Sequence, residues 1–187
     1  MQTISPNKNW ETSSDSANLY QIHQRAVNIA IYQRDTSILA NEINHLLQRN
    51  ITIRCSGEID AILTTLTEKL DIGTFGGIIK DIANLLHLFA DITTSNSFRM
   101  LLATVESDMC RKFHTDLNTL RMLCTYSGPG TQWLTEDNIN WKALNTQSNE
   151  VSVAIRENDI RQVDTGNVVV LKGAVFPNTE NPVVHRS

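Results

Sequence analysis

The spacing of apolar residues changes part-way along this chain, and that change constrains the fold more than any single motif. Up to about residue 92, short β-branched runs alternate with helical ones. In "AVNIAIYQ", Val27, Ile29 and Ile31 fall on one side, the two-residue period of a strand. After Asp35-Thr36, which suits a helix N-cap, Ile38, Leu39, Ile43, Leu46 and Leu47 are spaced to line one helical face. "ITIRC" is strand-like again. "GEIDAILTTLTEKLDIG" then places Ile59, Ile62, Leu63, Leu66 and Leu70 on one face, with Glu58 and Asp60 in the first turn, Lys69 in the last, and Gly73 as a C-terminal stop. A third helix carries Ile78, Ile79, Ile82, Leu85, Leu86 and Phe89.

From residue 97 the helical period is gone. Candidate strands are "SFRMLLATVES", "TLRMLCTYS", "VSVAI", "NVVVLKG" and "PVVHRS", with turn chemistry at Gly128-Pro129-Gly130, Asp164-Thr165-Gly166-Asn167 and Pro177-Asn178. Short strands at this spacing suggest a sandwich or barrel. The expected fold is α+β. Residues 1–25 read as a loose polar arm and 26–187 as a single domain, in which an α/β-patterned layer (26–96) packs on a β-barrel or jelly-roll half (97–187). A chain of 187 residues, 41% hydrophobic, is long enough to bury one such core.

Sixteen Lys and Arg against twenty Asp and Glu give a formal charge of −4, and neither sign gathers into blocks. Nucleic-acid binding needs clustered cations, so that class is set aside. The three cysteines, Cys55, Cys110 and Cys124, are odd in number and include no Cys-x-x-Cys. That argues against a disulfide framework or zinc ribbon and points to a reducing, cytoplasmic setting. "MQTISPNKNWETSSDS" lacks the apolar core of a signal peptide. The most apolar segment, "GGIIKDIANLLHLFADI", is interrupted by Lys80, Asp81 and His87 and is too short to cross a bilayer, so no membrane partner is expected. "GTFGG" lacks the context and the Lys-Ser/Thr of a phosphate loop.

Chemistry concentrates in "KFHTDLNTLRMLCTYSGPGTQW", residues 112–133. His114-x-Asp116 lies just ahead of a predicted strand, where residues i and i+2 point to one side and an imidazole and a carboxylate can reach one ion. A histidine from a neighbouring strand would complete a two-His, one-carboxylate face on an octahedral metal, with open positions opposite. His185, in "NPVVHRS", is the one histidine downstream. With five His and 11 Asp in the chain, about 0.3 such motifs arise by chance, so the motif needs its context. Cys110 with His114 and Asp116 offers sulfur, nitrogen and oxygen to zinc, against the plainer reading of a small buried thiol. Arg121, Tyr126 and Lys172 are polar groups on predicted strands that can hold a carboxylate, and a barrel-surface position is the plainer reading of each. Trp133 and Trp141 either wall a pocket or serve the core. His23, His45 and His87 read as packing or solvent positions. There is no Gly-x-Ser-x-Gly elbow and no Cys/His nucleophile pair.

Two blocks, "CRKFHTDLNTLRMLCTYSGPGTQWL" and "IRQVDTGNVVVLKGAVFPNTENPVVHRS", together resemble a bacterial family labelled domain of unknown function 1826, most specifically from Cys110 to Ser187. That family is similar in layout to the double-stranded β-helix, a jelly-roll or cupin-like barrel, of iron(II) and 2-oxoglutarate dioxygenases. There a His-x-Asp opens the barrel, a distal His closes the metal triad, and a basic residue beyond it grips the far carboxylate of 2-oxoglutarate. Position by position, the resemblance implies His114, Asp116 and His185 as metal ligands and Fe(II) with 2-oxoglutarate as cofactors. Arg121, Tyr126 and Lys172 become the candidates for the co-substrate. A glycine ahead of the β-branched run "TGNVVVLKG" also matches that layout. This chain, however, ends two residues after His185, and Arg186, as its immediate neighbour, should point to the opposite face. A closing C-terminal strand is therefore expected to be missing, or the anchor to come from elsewhere.

Three functions fit these residues. The first is an oxygenase-like enzyme acting on an unknown small-molecule or protein substrate. The second is a non-catalytic protein holding Zn(II) at the same triad, which the resembled family's gene-neighbourhood link to zinc homeostasis implies. The third is an interaction domain with a decayed site, which would leave the imidazoles of His114 and His185 more than about 8 Å apart.

Overall fold

The computed structural model describes residues 8–105, 112–146, 151–177, 179 and 181–186. Along the chain run β1 (Trp10–Ser13), β2 (Ile29–Tyr32), α1 (Ala40–Arg49), β3 (Thr52–Glu58), α2 (Ile59–Lys69), α3 (Ile72–Thr93) and β4 (Ser97–Ala103). They are followed by β5 (Leu120–Cys124), β6 (Gln132–Trp133), α4 (Trp141–Thr146), β7 (Arg161–Gln162), β8 (Val168–Lys172) and β9 (His185–Arg186). The fold is mixed α+β, as the change of period implies. Its contacts fall into two compact units rather than the one domain expected: the chain up to Arg34 together with the chain from Lys112 onward, and the stretch from Asp35 to Val105.

The first unit holds a four-stranded sheet in the order β1-β2-β8-β5 and a three-stranded sheet in the order β7-β6-β9. Its centre is β8. This strand pairs antiparallel with β2 (Ile29↔Leu171, Ile31↔Val169) and with β5 (Arg121↔Leu171, Leu123↔Val169). All five of its residues are buried, which explains the unbroken "VVVL": a strand covered on both faces has no solvent side to alternate with. Val169 and Leu171 share one face with Ile29 and Ile31, and this row packs on Trp133, Val163 and Val183. Val168, Val170, Lys172 and Ala30 point to the other face. A 3-10 helix, Ser16–His23, packs on β2 and β8, and its Leu19 and Ile22 are fully buried.

Residues 8–25 are thus ordered rather than a loose arm. β1 pairs parallel with β2, and Asp15 caps the 3-10 helix by accepting from the Ala17 amide at 2.9 Å. Two apolar side chains anchor this polar segment because a sheet face is there to receive them. On the far side of the second sheet, Phe113, Leu134, Ile139, Ala154 and Val184 form a smaller cluster with Trp141 packed against it. "VSVAI" makes no strand and contributes a single bridge, Ile139↔Ala154. Among the described residues the sheets do not close into a barrel. Asn178, half of an expected turn, lies outside the described residues.

In the second unit β3 and β4 pair antiparallel from Thr52↔Ala103 to Glu58↔Ser97. Helix α2 packs on β3, and α3 packs on α1 and α2. Strand β4, expected in the barrel half, belongs here, whereas β2, expected in the helical layer, belongs to the first unit. A two-residue period marks a strand but does not name its partner, so the division at 96/97 does not follow the packing. A 3-10 turn at Ser37–Leu39 precedes α1 and shifts its buried face to Leu39, Ile43 and Leu46, leaving Ile38 90% exposed and Leu47 44% exposed. Gly73 begins a helix rather than ending one: α2 closes at Leu70, and the Gly73 amide donates to Asp71, the N-cap of α3. Among the described residues no helix is long and apolar enough to cross a membrane.

Leu171→Ala should cost about 2–5 kcal/mol of stability, because the cavity opens where both sheets meet. Ile38→Ala, at an exposed site, should stay within about 0.5 kcal/mol. Urea denaturation of the two variants checks both.

Candidate metal centre

His114 and His185 face each other across an isolated antiparallel bridge, each amide donating to the other's carbonyl at 2.9 Å. His185 is held in turn by β6, where it pairs with Trp133. Asp116 is placed by the turn that follows β8. The Ala174 amide donates to its carbonyl at 2.8 Å, and the Gly173 amide donates to the Thr119 carbonyl at 2.9 Å. Only a glycine permits this approach, since a Cβ at Gly173 would lie 2.1 Å from the Asn118 carbonyl oxygen.

The backbone thereby gathers three donors. His114 Nε2 is 3.7 Å from Asp116 Oδ1 and His185 Nε2 is 3.6 Å from Asp116 Oδ2. All three ligand atoms lie within 4.8 Å of one another, and the imidazole centroids are 4.6 Å apart. Metal–nitrogen bonds near 2 Å hold neighbouring donors about 3.0–3.4 Å apart, so one ion fits after a small inward shift. The separation of more than about 8 Å that a decayed site would give is not what the fold produces.

Both rings are oriented for the task. His114 Nδ1 lies 3.1 Å from the Lys112 carbonyl and His185 Nδ1 lies 3.4 Å from the Val183 carbonyl. With Nδ1–H donating to each carbonyl, the Nε2 lone pairs are left facing Asp116. His185 is 1% exposed. Its burial, more than any other influence, pushes the imidazole pKa below its ordinary value, and His114 adds to this while Asp116 opposes it. Burial therefore favours the neutral, ligating form.

Asp116 is buried, and its Oδ2 accepts no aligned hydrogen bond. Arg121 Nε stands 2.9 Å from that oxygen, so the contact is one of charge, its N–H directed away from the lone pair. A buried carboxylate oxygen without a hydrogen bond is costly. A divalent cation at the triad would satisfy it, and the two-imidazole, one-carboxylate donor set suits such an ion.

Residues 13–187 match a family model described as "Protein of unknown function (DUF1826)". The chain belongs to the DUF1826 family. No match was found among curated proteins or among solved structures. The DUF1826 match spans the whole triad and both sequence blocks that carry it.

Of the three candidate anchors for a carboxylate in this DUF1826 chain, the fold brings Arg121 to the triad. Lys172, one position out of phase with Leu171, points to the opposite face of the sheet. There its Nζ donates to the Gln24 carbonyl at 2.9 Å and lies 4.7 Å from the Phe176 ring centre. Burial pushes its ammonium below the usual lysine range. Tyr126 lies beyond the end of β5, about 17 Å along an extended chain from Arg121, with the Arg34 guanidinium 5.8 Å from its ring centre. Arg186 points away from His185 as expected, lying over the Phe113 ring at 4.4 Å. Trp133 is a core residue, 2% exposed and stacked edge-on against Trp10. Cys110 lies outside the described residues. What the sequence did not reveal is the supporting set: Gly173, and the Lys112 and Val183 carbonyls. The glycine ending "VVVLKG" was the one visible signal.

Gly173→Ala should weaken divalent-metal binding about 10–100-fold by displacing the loop that holds Asp116, while Lys172→Met should leave it unchanged; titration calorimetry with Mn(II) measures both. A pH dependence follows as well. Since His185 has a folded-state pKa below the ordinary 6.5, the unfolded chain takes up that proton first as pH falls. Metal-free stability should therefore decline with falling pH from about 6.5 down to the lower folded value. His185→Gln should flatten that slope in urea melts run with a chelator.

Proposed function

We propose that this protein is a mononuclear non-haem metal enzyme of the Fe(II)/2-oxoglutarate oxygenase type, with one ion on His114, Asp116 and His185. The observation that carries the proposal is the convergence of two Nε2 atoms on a buried carboxylate whose Oδ2 has no hydrogen bond. Two imidazoles and one carboxylate on one face of an ion leave the opposite positions for a co-substrate and oxygen, the arrangement used by Fe(II) oxygenases. Two sheets sharing one core, with His185 on a strand that pairs with Trp133 and bridges to His114, support a double-stranded β-helix layout open on one side.

Bound Fe(II) would share the supply of electrons for oxygen activation with 2-oxoglutarate, which as co-substrate would be oxidised to succinate and carbon dioxide. The chain's own residues supply the rest. The Nδ1–carbonyl contacts fix the ring orientations, and burial of Asp116 and His185 excludes water from two of the three ligands. The His114 side chain is 35% exposed, so a small-molecule or protein substrate would approach on its side. Arg121 stands beside Asp116 as the cation nearest a bound carboxylate. A zinc-holding, non-catalytic role is the second reading, favoured by the fact that Lys172 and Tyr126 lie away from the triad.

Fe(II) loaded without oxygen should be retained at about one equivalent per chain. His114→Ala, Asp116→Ala and His185→Ala should each abolish retention. On admission of oxygen, succinate should form from 2-oxoglutarate. Tight Zn(II) binding without succinate selects the second reading, and a wild-type chain that takes up neither ion overturns both.

A further inference from the structure

We infer that Asn28 is a positioning residue for the metal centre, fixing the segment that carries His185 against the strand end that holds Asp116. The inference rests on the metal site proposed for His114, Asp116 and His185 and names what sets the spacing of its ligands. Asn28 stands immediately before β2 and is engaged with three separate parts of the chain. Its amide donates to the Asn9 carbonyl at 2.7 Å, and its carbonyl accepts from the Lys172 amide at 3.0 Å. Its side-chain Nδ2 donates to the Asn181 carbonyl at 3.0 Å. The last two contacts reach the ligands. Lys172 precedes Gly173 and Ala174, whose amides hold the Asp116 loop. Asn181 begins the segment that passes through Val183, whose carbonyl orients the His185 ring, to His185 itself.

The sequence explains why this task falls to a side chain. Asn181 is followed by Pro182, which has no amide hydrogen to give to a strand ladder. The segment is therefore attached at intervals. Asn181 is held by Asn28, and the Val183 amide donates to the Lys172 carbonyl at 3.1 Å. These two bonds tie the segment to the four-stranded sheet, where the Asp116 loop is also fastened. Further on, the Leu134 amide donates to the Val184 carbonyl at 3.0 Å, and His185 exchanges its pair of bonds with His114. Without Asn28 the segment hinges about the Val183–Lys172 bond, and the 3.6 Å between His185 Nε2 and Asp116 Oδ2 is free to grow. Metal affinity responds to such outer contacts because they set the aim of the donor atoms.

Asn18 supplies a matched control. Its Nδ2 donates to the Ile31 carbonyl at 2.9 Å, the same kind of bond with neither end on a segment that carries a ligand. The test compares Asn28→Asp with Asn18→Asp in the full chain at neutral pH. Each keeps the side-chain shape and sets an acceptor where a donor faced a carbonyl. The readouts are Mn(II) calorimetry, the electron-paramagnetic-resonance spectrum of bound Mn(II), and thermal melting without metal. Both variants should melt at a similarly lowered temperature. Asn28→Asp should weaken Mn(II) binding about tenfold and alter the Mn(II) spectrum, whereas Asn18→Asp should keep the wild-type affinity and spectrum. Asn28→Ala, which removes the donor without adding a charge, should weaken Mn(II) binding in the same direction and decides the matter if Asn28→Asp fails to fold. Wild-type Mn(II) affinity and spectrum in the Asn28 variants overturn the inference. An equal loss of Mn(II) in Asn18→Asp also overturns it, since the effect would then be a general loosening of the fold. A wild-type chain that binds no Mn(II) overturns the metal site itself, and the inference with it.

Discussion

The reciprocal pair of backbone hydrogen bonds between His114 and His185 is the contact on which the rest of the site depends. It joins the approach to β5 with the far C-terminal segment and puts the two imidazoles on one side of a shared bridge. Side chains opposite each other in an antiparallel bridge stand about 4.5–5.5 Å apart at Cβ, close enough for two nitrogens to face one carboxylate. Everything else at the centre trims this arrangement. The Lys112 and Val183 carbonyls turn the rings, and the chain after β8 holds Asp116 beneath them.

The same geometry explains why His185 is so deeply buried. His185 is paired to Trp133, and Trp133 belongs to the apolar row that includes Leu171 and Val183. The imidazole therefore inherits the dryness of a hydrophobic core, and its loss of basicity is a by-product of where β9 docks. Arg121, from the other sheet, adds to that loss and sets a positive charge beside the buried Asp116 carboxylate.

Much of this was legible in the residues and some was not, for physical reasons. The alternation of Ile29 and Ile31 and the β-branched run at 168–171 identified strands, and the His-x-Asp with a lone downstream histidine named three side chains that the fold brings together. Partner choice was hidden. "SFRMLLA" alternates equally well whether it pairs in a barrel or, as it does, with β3. Lys172 and Arg121 looked equivalent as polar residues on strands, but a single step of register puts them on opposite faces. Leu19 and Ile22 lay in a polar stretch whose order comes from a tertiary surface that no local pattern encodes.

Strands β2 and β8 are adjacent in space, Ile29 lying against Leu171, although a whole second unit is strung between Arg34 and Lys112 in the chain. The second unit is contiguous and can assemble from local contacts, whereas the first must bring together two distant stretches. Its central pairing therefore carries a large loop-closure entropy until the intervening segment becomes compact. Folding should consequently be hierarchical. The helices and hairpin of residues 35–105 would form early and shorten the effective loop. The two sheets, and with them the cluster of His114, Asp116 and His185, would come together last, after synthesis has delivered His185.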